Sequence, residues 1–542
     1  MNNLFKYLVI PCFVILPFLS VLAVDGEAVG DKRRPPNLIV ILADDMGIGD
    51  IGAFRELYAG GPEDVPMDLK DLGYHGDIAI QLAHQHTPNL DRLAREGIRF
   101  TRAYSGSWCA PSRQMLLSGQ WSSRASAYDY PWIGQQLREA GYVTGFVGKS
   151  HGSKPTQKVY GNRDPETAEF DDGLFFNNGA RGFYMKAGET LPGRVGFQSF
   201  DFKAQAGDYI TDVFSDHAID FIERHASSEQ TKPFMLYLPY TAPHEPLHGK
   251  PEDLKKLFPE AFAGRSDASI INEMDGHAFR KASVQMKAYH YAAMVYNMDL
   301  GIGRILDTLK AQGIEDNTII IFTCDNGAQW GSNYPGSGHK SETRDGGIRV
   351  PFILWSQDLA QSDQSGGIYN GLISLADIAP TLLAQATDSA KEYPTDGVDL
   401  MPYASGKQPP LRGRTWFWTN HGSGNTLKTK VDGAHEFVDG PLPNAILQSV
   451  YVRDDQKITC WNAEGSDAVG VVYNKLPDVV GRADPWKAVI ETPPVSGVLP
   501  DNEGGRELMD AMKTLVRESD GNLRTHWTGD PKGGGTSWWF MN

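Results

Sequence analysis

Asn37-Leu-Ile-Val-Ile-Leu-Ala-Asp-Asp-Met-Gly-Ile-Gly-Asp50 sets an apolar run, Leu38 to Leu42, just before two adjacent carboxylates, Asp44 and Asp45. A short β-branched run without polar alternation reads as a strand buried on both faces, the kind found in parallel sheets. Three other segments repeat the pattern. Tyr142 to Val147 runs into Gly148-Lys149-Ser150-His151, Phe234 to Leu238 leads through Pro239 to Pro243-His244, and Thr318 to Thr323 runs into Asp325-Asn326-Gly327. Helical segments lie between them. Thr87 to Gly97 carries an N-cap, Pro88 at N1 and a terminal Gly; Trp132 to Gly141 is a second; Val284 to Gly313 has an apolar face with one acidic interruption, Asp299. Strands alternating with helices predict an α/β fold, a large mostly parallel sheet sandwiched by helices. In such folds the site lies beyond the carboxyl ends of the strands, where all four polar clusters sit.

Cys109-Ala-Pro-Ser-Arg113 places a nucleophile candidate beside a turn, an arginine and a helix start. Pro111 suits the first turn, Gln114 to Leu117 continue it, and Ser118-Gly119 stops it. A residue just before a helix N-terminus faces unpaired N–H groups and the positive end of the dipole, so it suits an anion. Arg113 follows four residues later, about one turn away on the same face. Asp44, Asp45, Asp325 and Asn326 are all oxygen donors, a set for a hard divalent cation such as calcium; zinc would ask for His or Cys. Either pair alone reads as a strand-end turn or a cap. Two pairs ending two strands read as a metal site.

The chain has 542 residues and a formal net charge of −16. That charge argues against nucleic acid or an anionic membrane as partner, while a small anionic substrate stays compatible because pocket charges decide its binding. Residues 1–23 read as a secretory signal, with Lys6, an apolar run from Leu8 to Leu19, and a cleavage site at Val21-Leu22-Ala23. No other run is long and apolar enough to cross a bilayer, so the expectation is a secreted or periplasmic protein without stable membrane insertion. A catalytic domain is expected over 24–405 and a smaller α+β domain over 406–542, ending in a Trp-rich tail. Residues 52–86 read as an irregular insertion. The four cysteines are too few for a disulfide scaffold. Cys12 falls in the signal, and Cys324 and Cys460 read as buried rather than paired.

In this order the motifs resemble the formylglycine-dependent sulfatases of the alkaline-phosphatase-like superfamily, over roughly residues 36–410. The resemblance rests on the Asn37–Asp50 stretch, His86–Phe100, the Cys109 motif, Gly148–His151, Asp325–Gly327 and Asp345-Gly-Gly-Ile-Arg-Val-Pro351. It implies one calcium ion, bound by Asp44, Asp45, Asp325, Asn326 and the modified Cys109. It also implies oxidation of Cys109 to formylglycine by a formylglycine-generating or anaerobic sulfatase-maturing enzyme. Cys109, Arg113, Lys149, His151, His244 and Lys340 match the family's catalytic positions, and Lys149, His244 and Lys340 its sulfate contacts. On that pattern an alkoxide of the aldehyde hydrate attacks sulfur, His244 with Lys340 protonates the leaving alcohol, and the second hydroxyl, helped by His151, releases sulfate. Ser150, Cys324 and Asp345 depart from the family's usual Trp, Ser and Glu, which bears on substrate selection rather than on the ligands.

Two readings compete: a formylglycine-dependent phosphonate or phosphodiester hydrolase, and a catalytically silent sugar-binding protein of the same fold. Trp330 before Lys340 is a candidate to stack on substrate, whereas Trp416 and Trp418 alternate along a strand and read as core. His248, His290 and His339 read as substrate-side or structural. The 52–86 insertion and Trp330 point to a sulfated carbohydrate, a marine polysaccharide such as carrageenan or a glycosaminoglycan.

Overall fold

The computed structural model describes residues 34–58, 86–121, 131–151, 169–176, 182–196, 198–226, 232–333, 336, 338–386, 395–412 and 414–421. Beyond these it describes strands at 425–429, 435–439, 446–453, 456–463 and 469–475. Pro35 onward forms one compact unit. The signal at 1–23, residues 59–85, a helix expected from sequence over Arg506–Arg517, the Trp-rich tail and the side chains of Trp418 and Cys460 lie outside the described residues.

Ten strands make the main sheet. In chain order they are β1 (Asn37–Ala43), β2 (Ile98–Phe100), β3 (Val143–Lys149), β4 (Asp172–Phe176), β5 (Thr190–Val195), β6 (Gln198–Lys203), β7 (Phe234–Pro239), β8 (Thr318–Cys324), β9 (Phe352–Ser356) and β10 (Ile368–Tyr369). Across the sheet they run β10-β2-β9-β8-β1-β7-β3-β4-β5-β6. The five central strands, β8 to β4, are parallel; β9 runs against β8, and β5 and β6 are antiparallel on the far edge. Every residue of β1, β7 and β8 is buried, as their unbroken apolar runs require of strands covered on both faces. Helices pack in two groups. Val284–Ala311 packs against both Pro88–Glu96 and Ile210–His225, while Cys109–Ser118, Ile133–Glu139 and Ile378–Ala386 contact one another. The result is the expected helix-flanked, mostly parallel sheet of the alkaline-phosphatase-like fold.

Two local expectations need correction. Residues 52–86 are not irregular throughout, because Gly52–Tyr58 is helical. Thr87 takes the N-cap position as expected, but its side chain makes no cap hydrogen bond. Its hydroxyl donates to Asp91 Oδ1 (3.1 Å) and accepts from Gly52 N (3.1 Å). The cap comes from Asp299, the acidic interruption on the long helix, which accepts from Leu90 N (2.8 Å) and Asn89 N (3.1 Å). Sequence spacing points to the nearest hydroxyl; a carboxyl from another helix can accept from two N–H groups at once, one on each oxygen.

Four antiparallel strands, β11 (Thr415–His421), β12 (Ile446–Arg453), β13 (Gln456–Ala463) and β14 (Val469–Lys475), form a separate sheet in that order. Trp416 is buried core, its ring centroid 5.2 Å from that of Tyr104. Among the described residues no helix is long and apolar enough to cross a membrane.

Candidate active site

Strands β8, β1, β7 and β3 are neighbours in that order, and each delivers polar residues at its carboxyl end. Pairing continues past the strands: Asp325 N donates to Ala43 O (3.2 Å) and Asp44 N to Ala242 O (3.0 Å). Asp45 adopts a left-handed backbone (φ 66°), a conformation few residues with a Cβ take up. Its N–H donates to Asp325 Oδ1 (3.2 Å), and the Tyr291 hydroxyl lies 3.2 Å from the Asp45 carbonyl oxygen. Tyr291 also bonds the buried Asp50 carboxylate (2.5 Å), a support that no sequence motif announced.

Gly327 explains the Asp325-Asn326-Gly327 turn. A Cβ there would lie 1.7 Å from Gly346 O, and Gly327 N donates to Gly347 O (3.0 Å). The Asp345-Gly346-Gly347 motif thus lies against the turn that carries Asp325 and Asn326. Gly148 plays a similar part on β3, with φ 136° and its missing Cβ 2.0 Å from Pro239 O.

Cys109 is the first residue of its helix rather than the residue before it; Trp108 is the cap. The thiol is 2% exposed and donates to Asp44 Oδ1 at 3.3 Å. One turn on, the buried Arg113 guanidinium donates from Nε (3.0 Å) and Nη2 (2.8 Å) to Asp325 Oδ2 and from Nη1 to Lys149 O (2.8 Å). It also lies 3.5 Å from Asp44 Oδ2. Lys149 pairs with Asp44 Oδ2. Lys340 Nζ donates to Asp45 Oδ2 (2.8 Å) and to His244 Nε2 (3.0 Å), and sits 5.9 Å from the Trp108 ring centroid. A carbonyl only accepts, so His244 Nδ1, 2.6 Å from Glu245 O, carries the ring proton. His244 Nε2 is therefore the acceptor facing Lys340.

Every catalytic and metal residue singled out from the sequence is placed around this pocket. The three other histidines are tied into the structure: His248 to Met274 O (2.8 Å), His290 to Gly249 N (3.0 Å), and His339 to Lys340 O (2.7 Å) and Glu342. Trp330 stands at the margin, its indole donating to Glu245 Oε2 (3.1 Å).

The electrostatics follow from burial. Burial pushes Asp44 up, but Lys149, His244 and Arg113 outweigh it and hold the carboxyl at about 2. Asp45 is likewise pushed up by burial and pulled below its usual range by Lys340 and His244. Burial and the adjacent Asp44 push Asp325 up. Burial, then Asp325 and Asp44, push the Cys109 thiol well above its usual value, so an unmodified thiolate is disfavoured here. Burial, Lys149 and Arg113 drive His151 down to about 2, leaving a neutral ring whose Nδ1 has no partner among the described residues. Burial and Lys340 lower His244 too.

The donor set fits a calcium ion. Asn326 spends its amide N–H groups on Asp45 Oδ1 (2.7 Å) and Gly327 O (2.9 Å), while its Oδ1 is buried with no hydrogen-bond partner among the described residues. A buried acceptor left unmet costs about 1–3 kcal/mol, and a cation would satisfy it. Ligand atoms of Asp44, Asp45, Cys109 and His244 all lie within 4.8 Å of one another. Three buried carboxylates already meet three cations, Arg113, Lys149 and Lys340, so an added dication leaves the pocket positive and suited to an anion.

Arg113→Met is expected to lower stability by about 3–5 kcal/mol, because it strands Asp325 as a buried charge while Asp44 keeps Lys149. Chemical unfolding measures this; a loss under about 1 kcal/mol would show that the pair is replaceable.

A mostly parallel sheet with clustered oxygen donors, a buried cysteine at a helix N-terminus and paired cations at its carboxyl edge fits an anion-ester hydrolase of the alkaline-phosphatase-like class. The Sulfatase family model matches residues 36–389. The chain is 32% identical to the uncharacterized sulfatase YdeN of Escherichia coli, across 71% of this chain and 69% of that one. It is 28% identical to human N-acetylgalactosamine-6-sulfatase, across 76% and 73%. Its fold is similar to the crystal structure of Ps i-CgsB in complex with k-i-k-neocarrahexaose, at 21% identity, TM-score 0.59, and coverage of 91% and 95%. The chain belongs to the sulfatase family, enzymes that hydrolyse sulfate esters.

Proposed function

We propose that this sulfatase removes sulfate from a carbohydrate through a formylglycine made from Cys109, with one calcium ion held by Asp44, Asp45, Asp325 and Asn326. The observation that carries the reading is the unmet, buried Asn326 Oδ1 among three carboxylates, beside a cysteine whose own thiolate is suppressed. Calcium would supply positive charge for the sulfuryl oxygens, and formylglycine hydrate an oxygen nucleophile with a second hydroxyl for sulfate release.

The chain's own residues do the rest. Lys149 and Lys340 bind the sulfuryl oxygens, electrostatic work that a preorganised anion site performs well. Arg113 fixes Asp325 and the β3 end at Lys149 O. Lys340 donates to His244 Nε2 across 3.0 Å, and the pair supplies the proton to the departing alcohol oxygen. His151, whose buried Nδ1 has no partner among the described residues, is the group placed to assist the step that expels sulfate. Cys109 is too buried for an enzyme to reach in the folded chain, so the maturing partner acts before folding is complete. A carbohydrate substrate is supported by the sugar-linked names of the relatives above, and an extracellular polymer is consistent with the secretory signal read at 1–23.

Turnover of p-nitrophenyl sulfate against phenylphosphonate esters tests the reaction. Preference for the sulfate by at least about tenfold in kcat/KM is expected, and preference for the phosphonate by orders of magnitude would overturn the reading. Calcium has its own test. Elemental analysis is expected to find one calcium per chain, and chelation to lower the unfolding temperature. At free calcium of about 100 Kd the stabilisation should be about 2.7 kcal/mol. Asn326→Leu should bind less metal; unchanged metal content would remove Asn326 from the ligand set.

A further inference from the structure

Beyond the sulfate pocket, the wall next to His244 carries a second cation that the reaction leaves unused. Lys287 lies near the start of the Val284–Ala311 helix. Its Nζ is 4.7 Å from the Trp330 ring centroid and 4.9 Å from that of Phe279, and the two rings meet edge to face at 5.9 Å. Trp330 donates its indole N–H to Glu245 Oε2 (3.1 Å), and Glu245 directly follows His244. A short chain of contacts therefore links Lys287 to the group that faces the leaving alcohol.

Lys287 differs from the pocket cations. Arg113, Lys149 and Lys340 each have a buried carboxylate partner. Lys287 has aromatic faces and no ion pair among the described residues. A partly desolvated ammonium held by two rings keeps its charge available, since cation–π contact positions a cation without neutralising it. Partial burial lowers the Lys287 pKa, and the nearby Glu245 carboxylate opposes that shift in part.

We propose that Lys287, fixed by Phe279 and Trp330, binds a second anionic group on the leaving sugar, so that the preferred substrates are polyanionic saccharides. This rests on the carbohydrate reading above. The recognised chemistry is an oxyanion, from a second sulfate or from a uronate carboxylate. Trp330 presents its ring to Lys287 and its N–H to Glu245, which makes it the brace of this wall.

The test is the ratio of kcat/KM for paired substrates. One pair is neocarrabiose units with one or two sulfates; the other is 6-sulfated chondroitin disaccharide with its uronate free or methyl-esterified. Wild-type enzyme should favour the more anionic member of at least one pair by tenfold or more, and the pair that shows it identifies the anion. Lys287→Met should bring that ratio close to one, mainly through KM, and Lys287→Arg should restore it. A purely structural lysine would change the unfolding temperature without changing the ratio. No preference in wild-type enzyme, or the same preference in Lys287→Met, would overturn the proposal. If p-nitrophenyl sulfate is hydrolysed and no saccharide is, the carbohydrate reading fails separately. The same saccharides then serve as inhibitors of p-nitrophenyl sulfate hydrolysis, and equal inhibition of wild type and Lys287→Met overturns the anion site.

Discussion

Replacing Cys109 with alanine is expected to lower kcat by about 10⁴-fold or more while leaving the fold in place. The side chain makes one weak hydrogen bond, from Sγ to Asp44 Oδ1, so its loss should cost only about 1 kcal/mol of stability. Arg113, Lys149 and Lys340 keep their carboxylate partners without it. The pocket would still bind an anion and lack the atom that attacks it. Steady-state turnover of an aryl sulfate, with thermal unfolding alongside, separates the two effects. A variant that is inactive and unfolded would implicate packing, and one that stays active would remove position 109 from the chemistry.

His244→Ala carries the second large effect, and it depends on the leaving group. The Lys340–His244 contact at 3.0 Å places a proton beside the departing oxygen. A sugar alkoxide leaves poorly without that proton, whereas p-nitrophenolate leaves readily. The loss should therefore reach about 10²–10⁴ in kcat for a sugar sulfate and be far smaller for p-nitrophenyl sulfate. A plot of rate against leaving-group pKa should steepen in the variant. Equal losses across the series would show that His244 binds sulfate rather than moving a proton.

Much of the site was legible because its chemistry sits where unbroken strands end. Leu38 to Leu42, Tyr142 to Val147, Phe234 to Leu238 and Thr318 to Thr323 mark their own burial, so the polar residues after them had to gather at one edge once the strands lay parallel. Adjacency of those four strands was not legible, since pairing order depends on crossovers rather than on composition. The Cys109 helix was placed to within one residue, an error inherent in reading caps from sequence. Asp299 read as an interruption of an apolar face and proved to be a cap for another helix, a contact across 209 residues that no local pattern contains. Tyr291 and Asp50, which brace Asp45, were missed for the same reason. Lys287 was invisible too, because a lone lysine on a helix reads as solvated surface until Phe279 and Trp330 are seen around it.

The central claim is chemical: in the working enzyme, position 109 bears an aldehyde. Mass spectrometry of the peptide spanning residue 109, on preparations matured to different extents, tests this most directly. Specific activity should rise in proportion to the aldehyde fraction and vanish when only thiol is found. Full sulfate-ester hydrolysis from protein whose residue 109 is entirely cysteine would contradict the account.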